Sequence, residues 1–94
     1  MVNDPKHHYS SGVSAIRSAL MEEVVRQGIS RPLVTASEDS TRPGIPSQVF
    51  AIERDGKHVD ATFTYEDIRD SADGVPEHVM FKIRDLVSRF LSAT

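Results

Sequence analysis

The chemistry open to this chain rests on four histidines, fourteen carboxylates and eleven lysines and arginines, with no cysteine at all. The missing cysteine removes disulfide frameworks, thiol catalysis, Cys-based zinc sites and iron-sulfur clusters together. His7 and His8 stand in DPKHHY, where a histidine pair beside an acid suggests a metal. Adjacent side chains diverge along an extended chain, however, and no third ligand is specified. His58 faces Glu53 if residues 48–63 form a hairpin, and a histidine with a carboxylate partner can act as a general base or a pH switch. The sequence sets no nucleophile beside it, so a cross-strand surface pair is the simpler reading. His78 falls in the first turn of the last helical segment.

The carboxylates are densest over Asp60, Glu66, Asp67, Asp70 and Asp73. Their spacing does not follow the calcium loop D-x-[DN]-x-[DN]-G, and only Asp73-Gly74 echoes it. Asp67 and Asp70, three apart on a helical turn, could share a divalent ion. A solvated acidic surface that meets a basic partner needs less special geometry. Neither G-x-S-x-G nor a phosphate-cradling glycine motif is present. We therefore expect no cofactor, no metal and no catalytic constellation, and a non-enzymatic protein.

Chain length and charge limit the remaining choices. Ninety-four residues with 38% hydrophobic and 27% charged side chains suit one small domain with a single modest core. The formal net charge of −3 is unevenly spread, because residues 32–75 hold nine acids against four bases while both ends are slightly basic. An acidic centre weakens a nucleic-acid reading, since phosphate affinity rests on Lys and Arg. It leaves open a regulator that uses the bases of two helices, Arg17, Arg26 and Arg31 with Lys82, Arg84 and Arg89. No apolar run is long enough for a transmembrane helix, and the start MVNDPKHHYSS lacks a secretory apolar stretch.

These side chains must be positioned by elements whose periodicity is legible. Residues 1–12 read as a flexible leader, and residues 13–94 as a single α+β domain. Val13, Ile16, Leu20 and Val24 predict an amphipathic helix over about 13–27, capped by Ser10, Ser11 or Ser14 and closed by Gly28 with Ile29 in a Schellman ending. Residues 30–46 read as a connection rich in Pro, Ser and Thr, in which only PLVTA at 32–36 could be an edge strand; otherwise the segment is a mobile loop. SQVFAIERDGKHVDATFTY predicts a hairpin turning at Asp55-Gly56, with 54 opposite 57, 52 opposite 59, 50 opposite 61 and 48 opposite 63. That register puts Phe50, Ile52, Val59, Ala61 and Phe63 on one apolar face and leaves Val49, Ala51 and Glu53 on a half-polar one. Thr64 opens a capping-like TYED before a short helical turn with Ile68 inward. Pro76 starts a long helix whose stripe is Val79, Met80, Ile83, Leu86, Val87, Phe90 and Leu91. A two-layer α+β domain results, with the last helix covering the hairpin.

Helix, strands and helix in that order is similar to the double-stranded-RNA-binding domain, whose second helix starts with a lysine cluster. The corresponding start here is Pro76-Glu77-His78, so the likeness is one of topology alone. The segment VFAIERDGKHVDATFTYEDIRD, followed by a terminal amphipathic helix, resembles short proteobacterial proteins classed as domains of unknown function. The resemblance covers about half the chain, brings no active residues, and implies a bacterial cytoplasmic setting. We expect a protein-interaction domain, in one form a homodimer, with a candidate surface of Phe81, Arg84, Val49, Ala51, Asp60, Asp67 and Asp70. Phe81 lies off the last helix's stripe, so it either packs beneath residues 30–46 or anchors a partner.

Overall fold

Helix α1 (Pro5–Arg26) is followed by strands β1 (Leu33–Asp39), β2 (Ser47–Arg54) and β3 (Lys57–Phe63), then α2 (Tyr65–Asp70) and α3 (Glu77–Ser92). The computed structural model describes residues 5–29, 31–39 and 47–92. The strands form one antiparallel sheet in the order β1-β2-β3. This is the expected α+β architecture, with the third strand added.

Helix α1 begins well before the predicted Val13. Residues 5–12, expected as a leader, are its opening turns, and the serines expected to cap it lie inside it. Pro5 suits a first helical position because its missing N–H would be unpaired there anyway. What extends the helix is tertiary. The Tyr9 ring stacks on Tyr65 with centroids 6.2 Å apart, and its hydroxyl accepts a 2.6 Å hydrogen bond from Gln48 on β2. Gly12 lies so close to α2 that a Cβ there would sit 1.9 Å from the carbonyl oxygen of Ile68. The other end follows the local code: Ile29 N–H bonds to Val24 O at 3.2 Å and Gly28 N–H to Val25 O at 3.0 Å, with Gly28 at φ 80. That pair is the Schellman motif, and the buried Ile29 closes it.

The segment 32–36 proves to be part of a longer strand. β1 pairs with β2 from Leu33 opposite Glu53 to Asp39 opposite Ser47. Pro32 falls just before it, where the lack of a donor disturbs no ladder. The remainder of the expected 30–46 connection, Ser30 and residues 40–46, lies outside the described residues. The hairpin has the predicted register, Arg54 opposite Lys57 and Gln48 opposite Phe63. Its turn places both Asp55 (φ 52) and Gly56 (φ 84) in the left-handed region that a type I′ turn requires.

All three helices gather on one face of the sheet. Phe50, Ile52 and Phe63 from the strands meet Ile16, Leu20 and Val24 of α1, Ile68 of α2, and Val79, Ile83, Leu86, Val87 and Phe90 of α3 in one cluster. Phe50 and Phe63 touch edge to face at 5.1 Å, a favoured aromatic geometry. Leu91, read into the stripe of the last helix, is instead exposed at the rim. Among the described residues the opposite face of the sheet carries no helix, and on it stand Leu33, Val49, Ala51, Glu53, His58 and Asp60.

Candidate functional site

The hairpin register brings His58 against Glu53, as expected, with Nδ1 2.7 Å from Glu53 Oε1. A second carboxylate, two residues on along β3, completes the group: Nε2 lies 2.9 Å from Asp60 Oδ2. Both carboxylates can be satisfied at once only if both ring nitrogens carry protons. The hydrogen bonds that Asp60 and then Glu53 accept from the ring accordingly raise the His58 pKa above its usual 6.5. A ring with each nitrogen engaged by a carboxylate has no free lone pair to offer as a general base. Its two carboxylates also flank opposite edges of the ring, so they do not converge on one ion.

The second polar cluster joins α2 to α3. Thr64 and Asp67 form a reciprocal capping box: Asp67 N–H donates to Thr64 Oγ1 at 3.2 Å and Thr64 N–H to Asp67 Oδ2 at 3.1 Å. The Lys82 ammonium donates to the same Oδ2 from α3 and lies 5.4 Å from the centre of the Phe63 ring. His78 Nε2 approaches Asp67 Oδ1 at 3.7 Å and Asp70 Oδ2 at 3.9 Å. Asp67 is only 7% exposed. Its burial alone would raise the carboxyl pKa, but the Lys82 and Thr64 hydrogen bonds outweigh that and lower it below the usual 3.8. The carboxylate therefore holds two helices in register. The side chain between Asp67 and Asp70 is His78, and Lys82 takes the other Asp67 oxygen; among the described residues no group of three or more His, Asp or Glu is arranged to hold a metal.

Much of the acidic centre of the sequence is thus taken up in structural contacts. Asp60 serves His58, Asp67 serves Lys82 and the cap, and Asp70 meets Arg69 at 3.4 Å. Several bases are likewise engaged: Arg26 with Glu23 at 2.8 Å, and Arg89 with Asp85 at 3.2 Å and with the Asp60 carbonyl at 3.2 Å. Of the apolar candidates on the sheet's open face, Val49 is half-buried and Ala51 is 6% exposed, because a methyl on the central strand is covered by its neighbours Thr35 and Asp60. Those two do not form an open patch.

Phe81 does project into solvent. Its side chain is 72% exposed on the face of α3 opposite the core stripe, beside Arg84, Asp85 and Ser88, which are also exposed. Among the described residues no segment covers it. No protein-family model, curated protein or solved structure matches the chain. No helix among the described residues is long and apolar enough to cross a membrane.

Two of the determining contacts escaped sequence reasoning. Gly12 was placed in a leader, although a glycine flanked by helix-period apolar residues is itself a sign of close backbone approach. The pairing of Lys82 with Asp67 spans fifteen positions and has no local signature.

Proposed function

We propose that this chain is a protein-interaction domain that presents the outer face of α3 to a partner protein. The observation that carries this reading is the 72% exposed Phe81, an aromatic side chain in the second turn of α3 and off the core stripe. Exposing a phenylalanine has no folding benefit, whereas buried aromatic anchors surrounded by polar residues dominate the energetics of protein interfaces. Glu77, Arg84 and Asp85 surround it with both signs of charge, so the matching surface is an apolar pocket with a mixed polar rim. We place that encounter in a bacterial cytoplasm as part of the same proposal.

A photo-crosslinking phenylalanine analogue placed at position 81 in cells tests this. The expected result is a discrete adduct that disappears with Arg84→Glu and does not form from the same analogue at position 25 on α1. Equal labelling from both positions, or none from position 81, would overturn the reading. Phe81→Ser should leave the unfolding free energy within about 0.5 kcal/mol of the parent, since it touches only surface.

A further inference from the structure

The two edges of the sheet are not alike. β3 carries Lys57, His58 and Asp60 along its length, and Arg89 from α3 already takes the Asp60 carbonyl in mid-strand at 3.2 Å. Charged side chains and capped backbone groups are the usual means by which a protein blocks pairing at a sheet edge. β1 has none of these over Leu33–Ser37, the run LVTAS: no charge, no proline and no bulge, with Leu33, Ala36 and Ser37 exposed. Among the described residues, no strand pairs with its outer side. Such a strand edge offers backbone N–H and C=O groups that only another extended chain can satisfy along their whole length.

We infer that β1 pairs antiparallel with β1 of a second copy of this chain, making a continuous six-stranded sheet about a two-fold axis through Thr35. The sequence around the strand is complementary to itself in that register. Val34 lies opposite the partner copy's residue 36, so small apolar side chains meet on the core side, and Leu33 lies opposite residue 37 on the open side. Thr35 faces its own symmetry mate, a favourable cross-strand pair. The charges sit outside this run with opposite signs at its two ends, Arg31 before it and Glu38 and Asp39 after it. Antiparallel pairing about Thr35 therefore brings the basic end of each copy's strand towards the acidic end of the other's. A register centred on Ala36 would set Val34 against the acid at position 38, and one centred on Val34 would draw Pro32 into the ladder. The Thr35 register keeps both Pro32 and the acids outside the paired run 33–37. A two-fold related interface of this kind closes at the dimer.

The inference concerns a different surface from the α3 face, so the two stand or fall separately. Because the chain has no cysteine, Thr35→Cys introduces the only thiol. Opposed Cα atoms in an antiparallel pair are about 4.5–5.5 Å apart, within disulfide reach. The full-length Thr35→Cys protein should oxidise rapidly to a covalent dimer, while Ser18→Cys on the outer face of α1 should not. Sedimentation equilibrium of the unmodified chain should show a species of twice the 10.4 kDa monomer mass. Arg31→Glu should weaken that dimer about tenfold, and adding Asp39→Arg should restore it. A monomer at every concentration, a dimer indifferent to both charge changes, or Thr35→Cys crosslinking no faster than Ser18→Cys would each overturn the proposal.

Discussion

Replacing Gly12 with alanine sets two physical effects against each other, and the structure predicts which one wins. In isolation the change should help, because glycine inside a helix is about 1 kcal/mol less favourable than alanine. Here the new methyl would lie 1.9 Å from Ile68 O, 2.6 Å from Ile68 C and 2.7 Å from Ile68 Cγ2. Two of these atoms are backbone, so relief requires α1 and α2 to separate rather than a rotamer to change. Ile68 is fully buried, and the separation would loosen its contacts with the core. Overpacking of this kind costs about 1–3 kcal/mol, and a rigid backbone contact belongs at the upper end. Setting about 3 kcal/mol of strain against about 1 kcal/mol of helix propensity leaves a net loss of about 2 kcal/mol. For a domain of this size that is a melting temperature lower by roughly 8–16 °C. Urea unfolding followed by far-ultraviolet circular dichroism measures it directly, with Ser14→Ala on the exposed face of α1 as the propensity control. That control should be neutral or slightly stabilising. If Gly12→Ala is as stable as the parent or more so, α1 does not cross α2 at this glycine, and the argument for an ordered start to α1 fails with it.

Lys82→Met should cost about 1–2 kcal/mol in the same assay, because it leaves the nearly buried Asp67 carboxylate without its cationic donor while keeping the aliphatic stem over Phe63. Since the folded pKa of Asp67 is depressed, its contribution is present above pH 3.8 and is lost as the pH falls below that value through the folded pKa. The variant should show a shallower loss of stability in that acid range. His58 runs the other way: its folded pKa is raised, so its contribution is complete below pH 6.5 and is lost as the pH rises through the folded value. A proton NMR titration of the His58 ring should give a midpoint above 6.5, and Glu53→Gln together with Asp60→Asn should return it to the ordinary histidine range. A midpoint at or below 6.5 in the parent would show that the two carboxylates do not hold the ring.

Much of this molecule is written locally. The Asp55-Gly56 turn, the hairpin register, the Gly28-Ile29 helix ending, the Thr64 cap and the core stripe of α3 each depend on residues within a few positions of one another. A single local signal is enough to predict them, because turn conformation and side-chain periodicity are properties of short segments. The chemistry was legible in the same way only for His58 and Glu53, which the hairpin register places face to face. Other features were decided by contacts between distant segments. Residues 5–12 look like a leader by composition, yet Tyr9 reaches Tyr65 and Gln48, and Gly12 lets α2 approach. Asp67 and Asp70 look like neighbours in one acidic patch, yet Lys82 draws Asp67 into the structure while Asp70 stays at the surface. PLVTA is ambiguous on its own and becomes a strand because β2 offers it a full ladder. Periodicity told that Phe81 is off the core stripe; whether another segment covers it was a question for the fold, which leaves it in solvent. The physical reason is common to all of these cases: local conformational preference is worth a few tenths to about 1 kcal/mol per residue, and burial, pairing and close packing across the domain exceed it wherever the two disagree.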